Sequence, residues 1–123
     1  FTLLLEHFLS KKPEGISIQL KIPHPIDWEY IENNIKINIY RIIQEAIANI
    51  YKHSQATSVE ILIHKLKNRL IIEIKDNGKG FDPNNSTAGI GLKNMKNRSR
   101  TMKGKLSITT SSEGTLIKLV VKI

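Results

Sequence analysis

Hydrophobic residues recur along this chain with two periods, and each period predicts one kind of secondary structure. Where apolar residues alternate with polar ones, as in Ile16-Ser17-Ile18, we predict strands that are buried on one face. These strands are expected over residues 16–22, 58–66, 70–75, 106–110 and 116–123. Where apolar residues are spaced by three and four, we predict helices. These helices cover residues 1–11, 34–53 and 91–103, with a short helix or turn near 27–30.

The connections between these elements predict how they are arranged. Only Lys67-Asn68-Arg69 separates two strands, which indicates an antiparallel hairpin. We predict an α/β (α+β) two-layer sandwich, with a mixed, mostly antiparallel sheet of about five strands covered on one face by about three helices. Residues 1–123 are expected to form a single domain, in which residues 1–11 are the end of an upstream linker helix.

The stretch that follows the strand over residues 70–75 reads Asp-Asn-Gly-Lys-Gly-Phe. Asp76 continues the alternation of Ile72 and Ile74, so its carboxylate should face the apolar side of the sheet. A carboxylate in that position is costly unless groups donate hydrogen bonds to it. Gly78 and Gly80 leave room for a flat ligand to approach the backbone. The alternative is that these residues form an ordinary hairpin turn.

A second pair of glycines, Gly89 and Gly91, precedes the last predicted helix. At a helix start, free N–H groups and the helix dipole favour an anion. The polar loop over residues 82–88 is expected to be mobile. The third glycine of a dinucleotide fingerprint is replaced by Asn94, and the chain contains no Gly-Lys-Ser/Thr phosphate loop. Gly78 and Gly80 occupy positions where a calcium loop needs oxygen ligands.

The long helix carries polar residues at intervals of four, namely Glu45, Asn49 and His53. Residues four apart share one helix face, and Glu and Asn one turn apart can hold a hydrated Mg²⁺. The same pattern is also compatible with a solvent-facing polar stripe that ends in two cations, Lys52 and His53.

Composition narrows the possible functions. Nineteen basic and 11 acidic residues give a net charge of +8. This charge suits a polyphosphate, a nucleic acid, an acidic partner or an anionic membrane surface, and equally a solvated lysine-rich surface. Proteins that bind single-stranded nucleic acid need a series of aromatic residues among the basic ones, and this chain has no such series. Without cysteine, disulfides and thiolate–metal sites are excluded. No signal peptide is visible, and no apolar run approaches the roughly 20 residues of a membrane helix.

Taken together, these motifs resemble the ATP-binding catalytic domain of sensor histidine kinases, in the superfamily shared with gyrase, Hsp90 and MutL. The matching segments are residues 45–54, 76–81, 89–95 and 114–115. The resemblance covers about residues 34–123 and extends more loosely back to Ile16. Lys52-His53-Ser54, the short loop between the glycine pairs, and Met95 with Arg98 are similar to the subfamily paired with helix-turn-helix response regulators.

The resemblance implies a Bergerat-type ATP-binding fold with ATP and Mg²⁺ as cofactors. It implies that Asn49 binds Mg²⁺ and that Glu45 acts through a metal-bound water or as a base. Lys52 and His53 would lie near the phosphates, and Asp76 would accept the adenine amino group. The remaining residues implied to bind the nucleotide are Gly78, Gly80 and Phe81 beside the base, Gly89, Gly91 and Leu92 on the lid, and Thr115 near the adenine.

The activity implied is transfer of the γ-phosphate to a histidine of a dimerisation domain, within a full-length homodimer that signals to a response-regulator receiver domain. No nucleic acid or membrane contact is expected of this domain. The protein is expected to be cytoplasmic, or the cytoplasmic part of a membrane-bound sensor. His7, His24, His53 and His64 all lack the context of an acceptor histidine, so the acceptor is expected upstream of Phe1.

Two alternatives are carried beside this hypothesis. One is a serine kinase of the same fold that also acts as an anti-sigma factor. The Lys-His-Ser ending and the Gly-Ile-Gly-Leu-x-x-Met segment argue for the histidine kinase instead. The other is a basic, non-enzymatic module that binds nucleic acid or protein, in which the glycines would form ordinary turns.

Overall fold

The computed structural model describes residues 1–80 and 86–123, with the backbone alone for residues 86–88. Its helices are α1 (Thr2–Leu9), α2 (Asn33–Asn49) and α3 (Ser86–Thr101). Its strands are β1 (Ser17–Lys21), β2 (Ser58–Leu66), β3 (Arg69–Asp76), β4 (Lys105–Ser111) and β5 (Gly114–Lys122). A 3₁₀ turn covers Trp28–Tyr30, and a π-helical turn covers Ile50–Ser54.

The five strands form one sheet in the order β1-β2-β3-β5-β4. β1 runs parallel to β2, whereas every other neighbouring pair is antiparallel. A parallel neighbour requires a long crossover connection, and α2 lies in the segment between β1 and β2. The predicted mixed, mostly antiparallel sheet is therefore confirmed.

The core lies between one face of this sheet and the helices. On β3, Leu70, Ile72 and Ile74 are almost inaccessible to solvent, and the alternate residues Glu73 and Lys75 are not. The helices contribute the opposing layer through residues such as Leu5, Ile39, Ile43 and Met95. Burying one such side chain stabilises the fold by about 1.5–3 kcal/mol. The predicted sandwich, with its helices on one face, is confirmed.

Two predicted helix boundaries are wrong, and both lie next to the candidate site. The helix predicted over residues 34–53 is α-helical only to Asn49, after which the chain continues as the π-helical turn and leaves it at Gln55 with φ 55°. The helix predicted to start at Gly91 starts at Ser86, so Gly89 and Gly91 lie within α3. Of the predicted polar loop, residues 82–85 lie outside the described part of the chain.

Within residues 1–80 and 86–123, no helix combines the length and the apolar character needed to cross a membrane.

Candidate nucleotide-binding site

Asp76 is the last residue of β3, and its side chain is 4% exposed. It pairs with Thr115 across the β3–β5 ladder, on the face that also carries the buried Ile74. The backbone N–H of Gly78 donates a hydrogen bond of 2.8 Å to Oδ1 of Asp76. The predicted inward orientation is confirmed, because the alternation of the strand continues into its last residue.

Burial raises the pKa of the Asp76 carboxyl above its ordinary value, and backbone hydrogen bonds from Gly78 and Thr115 oppose that shift in part. The carboxyl is therefore less easily ionised than an exposed one. A ligand that donates a hydrogen bond to this carboxylate would replace the hydrogen bonds from water that burial removes.

This raised pKa predicts how stability depends on pH. Below the ordinary pKa of 3.8, the carboxyl is protonated in both folded and unfolded chains. As pH rises through the higher folded value, the folded chain must give up a proton that it holds more tightly, so the stability contributed by the protonated carboxyl is lost. We expect the free energy of unfolding of the wild type to fall relative to that of Asp76→Asn between about pH 3 and about pH 7. Urea unfolding across this range measures the difference, and a constant or rising difference would contradict the prediction.

Gly78 and Gly80 are two positions where the chain that follows Asp76 passes very close to neighbouring residues. A Cβ on Gly78 would collide with the backbone oxygen of Ser54 and lie 2.7 Å from its Cβ and Oγ. Gly80 has φ +76°, and a Cβ there would lie 2.6 Å from Oγ1 of Thr110. Both glycines are required by close packing, and the one at 80 also by its left-handed backbone. The predicted residue Phe81 lies outside the described part of the chain.

Thr115 is 3% exposed, and its hydroxyl lies 3.0 Å from that of Thr110 on β4. The pair places two hydroxyls beside the Asp76 carboxylate on the helix-covered face of the sheet. Thr110 was not among the residues predicted from the sequence. Counting outwards from the β4–β5 turn would have paired it with Thr115, because hairpin register is fixed by the turn.

The end of α2 supplies the second group of candidate residues. Asn49 is 5% exposed, and its Nδ2 is buried without a hydrogen-bond partner among the described residues. Nε2 of the half-buried His53 is also buried without a hydrogen-bond partner among the described residues. Glu45 is half-buried one turn before Asn49, and Lys52 is exposed. Buried polar atoms are rarely left unpaired, so two of them on neighbouring turns indicate a ligand-binding position.

Gly91 brings α3 against this group. A Cβ on Gly91 would lie 2.8 Å from both Nδ2 and Oδ1 of Asn49. The structure therefore joins two motifs that are more than 40 residues apart in sequence. Leu92, the neighbouring predicted residue, is buried in the hydrophobic core, and Gly89 is half-buried.

The predicted reason for the second glycine pair is wrong. Gly89 and Gly91 are the fourth and sixth residues of α3, so Gly91 lies beyond the turn whose N–H groups are free. The free N–H groups at the start of a helix belong to its first turn, which in α3 begins at Ser86. Gly91 is required because any side chain there would displace the amide of Asn49.

The chain is similar to known proteins in sequence and in architecture. The profile of the family described as histidine kinase-, DNA gyrase B- and HSP90-like ATPases matches residues 34–123. The chain is 34% identical over 121 residues to the signal transduction histidine-protein kinase/phosphatase DegS of Brevibacillus brevis, covering 97% of this chain and 31% of DegS. It is 41% identical over 122 residues to the sensor histidine kinase ComP of Bacillus subtilis, covering 97% of this chain and 16% of ComP.

Among solved structures, the chain is similar to the blue-light activated histidine kinase EL346 of Erythrobacter litoralis, with a TM-score of 0.77 and 15% identity. That similarity covers 98% of this chain and 38% of the solved one. The chain thus spans less than half the length of each of these relatives. It belongs to the family of histidine kinase-, DNA gyrase B- and HSP90-like ATPases, as an ATPase domain of the sensor histidine kinase type.

Proposed function

We propose that this domain binds Mg-ATP and donates the γ-phosphate to a histidine on the dimerisation domain of a longer sensor kinase. The observation that carries the proposal is a pair of buried polar side chains, Asn49 at the end of α2 and Asp76 at the end of β3. Nδ2 of Asn49 has no hydrogen-bond partner among the described residues, and burial disfavours the ionised form of the Asp76 carboxyl. Its relatives are named as sensor histidine kinases, which favours histidine rather than serine as the acceptor.

Asp76 is proposed to read the base. An ionised carboxylate only accepts hydrogen bonds, and the exocyclic amino group of adenine only donates them. Guanine carries a carbonyl oxygen at that position and would be repelled by the carboxylate. Thr115 pairs with Asp76 across the sheet, and Gly78 and Gly80 follow it closely in the chain, so these three residues would lie beside the base.

The residues at the end of α2 fit a hydrated Mg²⁺. Asn49 offers a buried amide, and Glu45 lies one turn earlier. The part of the chain that the structure describes contains no cluster of three His, Cys, Asp or Glu residues that could hold a metal without other ligands. Mg²⁺ normally keeps several waters and takes one or two protein oxygens beside those of phosphates, so this sparse set is appropriate. When bound, Mg²⁺ would neutralise charge on the phosphates.

The chain's own residues would position the nucleotide for in-line transfer. The bond from the γ-phosphorus to the β-phosphate oxygen breaks, a bond to an imidazole nitrogen forms, and ADP leaves with the negative charge. Lys52 and His53 would lie near the phosphates, and Glu45 would take the imidazole proton directly or through water. α3 would cover the phosphates through Gly89, Gly91 and Leu92.

The further partners follow the same proposal. The phosphorylated histidine would pass its phosphoryl group to a response-regulator receiver domain, and the full-length protein would act as a homodimer on the cytoplasmic side. If the domain were instead a serine kinase that acts as an anti-sigma factor, label from ATP would reach a serine of a partner protein.

The isolated chain is expected to bind Mg-ATP and to leave itself unphosphorylated. None of His7, His24, His53 and His64 has an acceptor context, and a domain that only holds the donor cannot complete the transfer. Titration with a fluorescent ATP analogue, with and without Mg²⁺, measures binding. Acid-labile labelling, with and without the dimerisation domain, measures transfer.

Two results would contradict this proposal. Absence of Mg²⁺-dependent binding at high micromolar nucleotide would favour the non-enzymatic basic module. Efficient labelling of a histidine within the isolated chain would contradict the division between donor and acceptor domains.

A further inference from the structure

We propose that Asn77 and Ser54 are positioning residues that hold the loop after Asp76 against the segment joining α2 to β2. They would thereby fix the separation between the base subsite at Asp76 and the phosphate subsite at Asn49 and His53. We name this set of contacts the latch; it comprises Ser54, Thr57, Ser58, Asn77 and Lys79. The inference rests on the proposed function, because it concerns how a nucleotide would span the two subsites.

Asn77 directs its hydrogen bonds at the start of β2. Its Oδ1 accepts hydrogen bonds from the backbone N–H groups of Thr57 at 3.0 Å and Ser58 at 2.9 Å. Its Nδ2 donates to Oγ1 of Thr57 at 3.0 Å, and its own backbone N–H donates to the Ser58 oxygen at 3.2 Å. Asn77 lies between Asp76 and Gly78, yet both polar atoms of its side chain form hydrogen bonds within the protein. Its role is therefore to hold the loop.

Ser54 fastens the other side of the same loop. It is fully buried, and its backbone oxygen accepts a hydrogen bond of 2.8 Å from the N–H of Lys79. Its hydroxyl donates to the oxygen of Ile50 at 2.9 Å and accepts from the N–H of Ala56 at 3.2 Å. Gly78 packs directly on Ser54, where no other side chain could fit.

The latch connects the two candidate subsites through a short, continuous path. Ser54 ends the π-helical turn that follows α2, five residues after Asn49. Asn77 directly follows Asp76. Because the hydroxyl of Ser54 satisfies the carbonyl of Ile50 within that turn, the helix end is held together where the loop docks. π-helical turns frequently occur at functional sites, and this one presents both Ser54 and His53.

A ligand that spans two subsites benefits from their fixed separation. Once the base is bound, the phosphates meet the second subsite at an effective concentration that depends on how rigidly the two are connected. Loosening the connection reduces that benefit without removing any contact to the ligand. A ligand that occupies only one subsite keeps its affinity, because it gains nothing from the fixed separation. The latch therefore predicts a loss specific to the whole nucleotide.

The test compares Asn77→Ala with Asn77→Asp and with a control, Asn68→Ala. The aspartate keeps an acceptor for the N–H groups of Thr57 and Ser58. Asn68 is an exposed asparagine in the β2–β3 turn, at the opposite end of the same hairpin. Each protein is titrated with adenosine, with Mg-tripolyphosphate and with Mg-ATP, by competition against a fluorescent ATP analogue. Melting temperatures are recorded in parallel to confirm folding.

We expect Asn77→Ala to weaken Mg-ATP binding about tenfold, while adenosine and Mg-tripolyphosphate each change less than about twofold. Asn77→Asp should recover most of the loss, and Asn68→Ala should match the wild type. An unchanged Mg-ATP affinity, or an equal loss for adenosine and Mg-ATP, would overturn the latch while leaving the proposed function intact. Failure of the wild type to bind Mg-ATP would instead overturn the proposed function itself.

Discussion

An Asp76→Asn variant is expected to bind ATP about 10- to 150-fold more weakly than the wild type while keeping its fold. Losing a charged acceptor in a buried site costs about 1.5–3 kcal/mol, and each 1.4 kcal/mol is a factor of ten in affinity. The amide retains an oxygen that can accept the hydrogen bond from Gly78. Since burial disfavours the ionised carboxylate, replacing it by a neutral group should not destabilise the domain at neutral pH.

Two measurements separate loss of base reading from general damage. GTP should lose much less affinity than ATP, because the amide can donate to the guanine carbonyl that the carboxylate repels. The cooperative unfolding transition should be retained. ATP binding within about twofold of the wild type would show that Asp76 does not read the base.

The second large effect is expected for Asn49→Ala, which should lower phosphotransfer about 100-fold in a protein that includes the dimerisation domain. That is the order of magnitude lost when one preorganised group at the reacting phosphates is removed. Adenosine affinity should hardly change, because Asn49 is proposed to act on the metal and the phosphates and not on the base. Since Nδ2 of Asn49 has no partner in the described structure, its removal should cost little stability.

A matched control is available on the same helix. Asn38 is also buried, but its Nδ2 donates to the backbone oxygen of Asn34 at 2.8 Å. Asn38→Ala should therefore lower the free energy of unfolding and leave the Mg²⁺ dependence of ATP binding unchanged. Affinities for ATP, ADP and adenosine, with and without Mg²⁺, distinguish the two variants. Equal losses of all three ligands in Asn49→Ala would indicate misfolding.

The sequence by itself determined the elements and the direction of key side chains. All five strands, the three helices and the β2–β3 hairpin were predicted, because alternation and helical spacing are local properties of the chain. The burial of Asp76 followed from the same alternation, since a strand that buries Ile72 and Ile74 must bury the next residue of that parity. The boundaries were less well predicted, as the early start of α3 at Ser86 shows.

The tertiary structure alone decided which residues meet. The position of β5 between β3 and β4 places Thr115 beside Asp76, and no local period encodes that order. Gly91 was predicted to expose backbone N–H groups, yet it serves the contact between α3 and Asn49. A glycine can be required by its own backbone or by a distant neighbour's approach, and the sequence around it is the same in both cases. Contacts between residues far apart in the chain were therefore beyond reach of the sequence pattern, because they depend on how the finished layers pack.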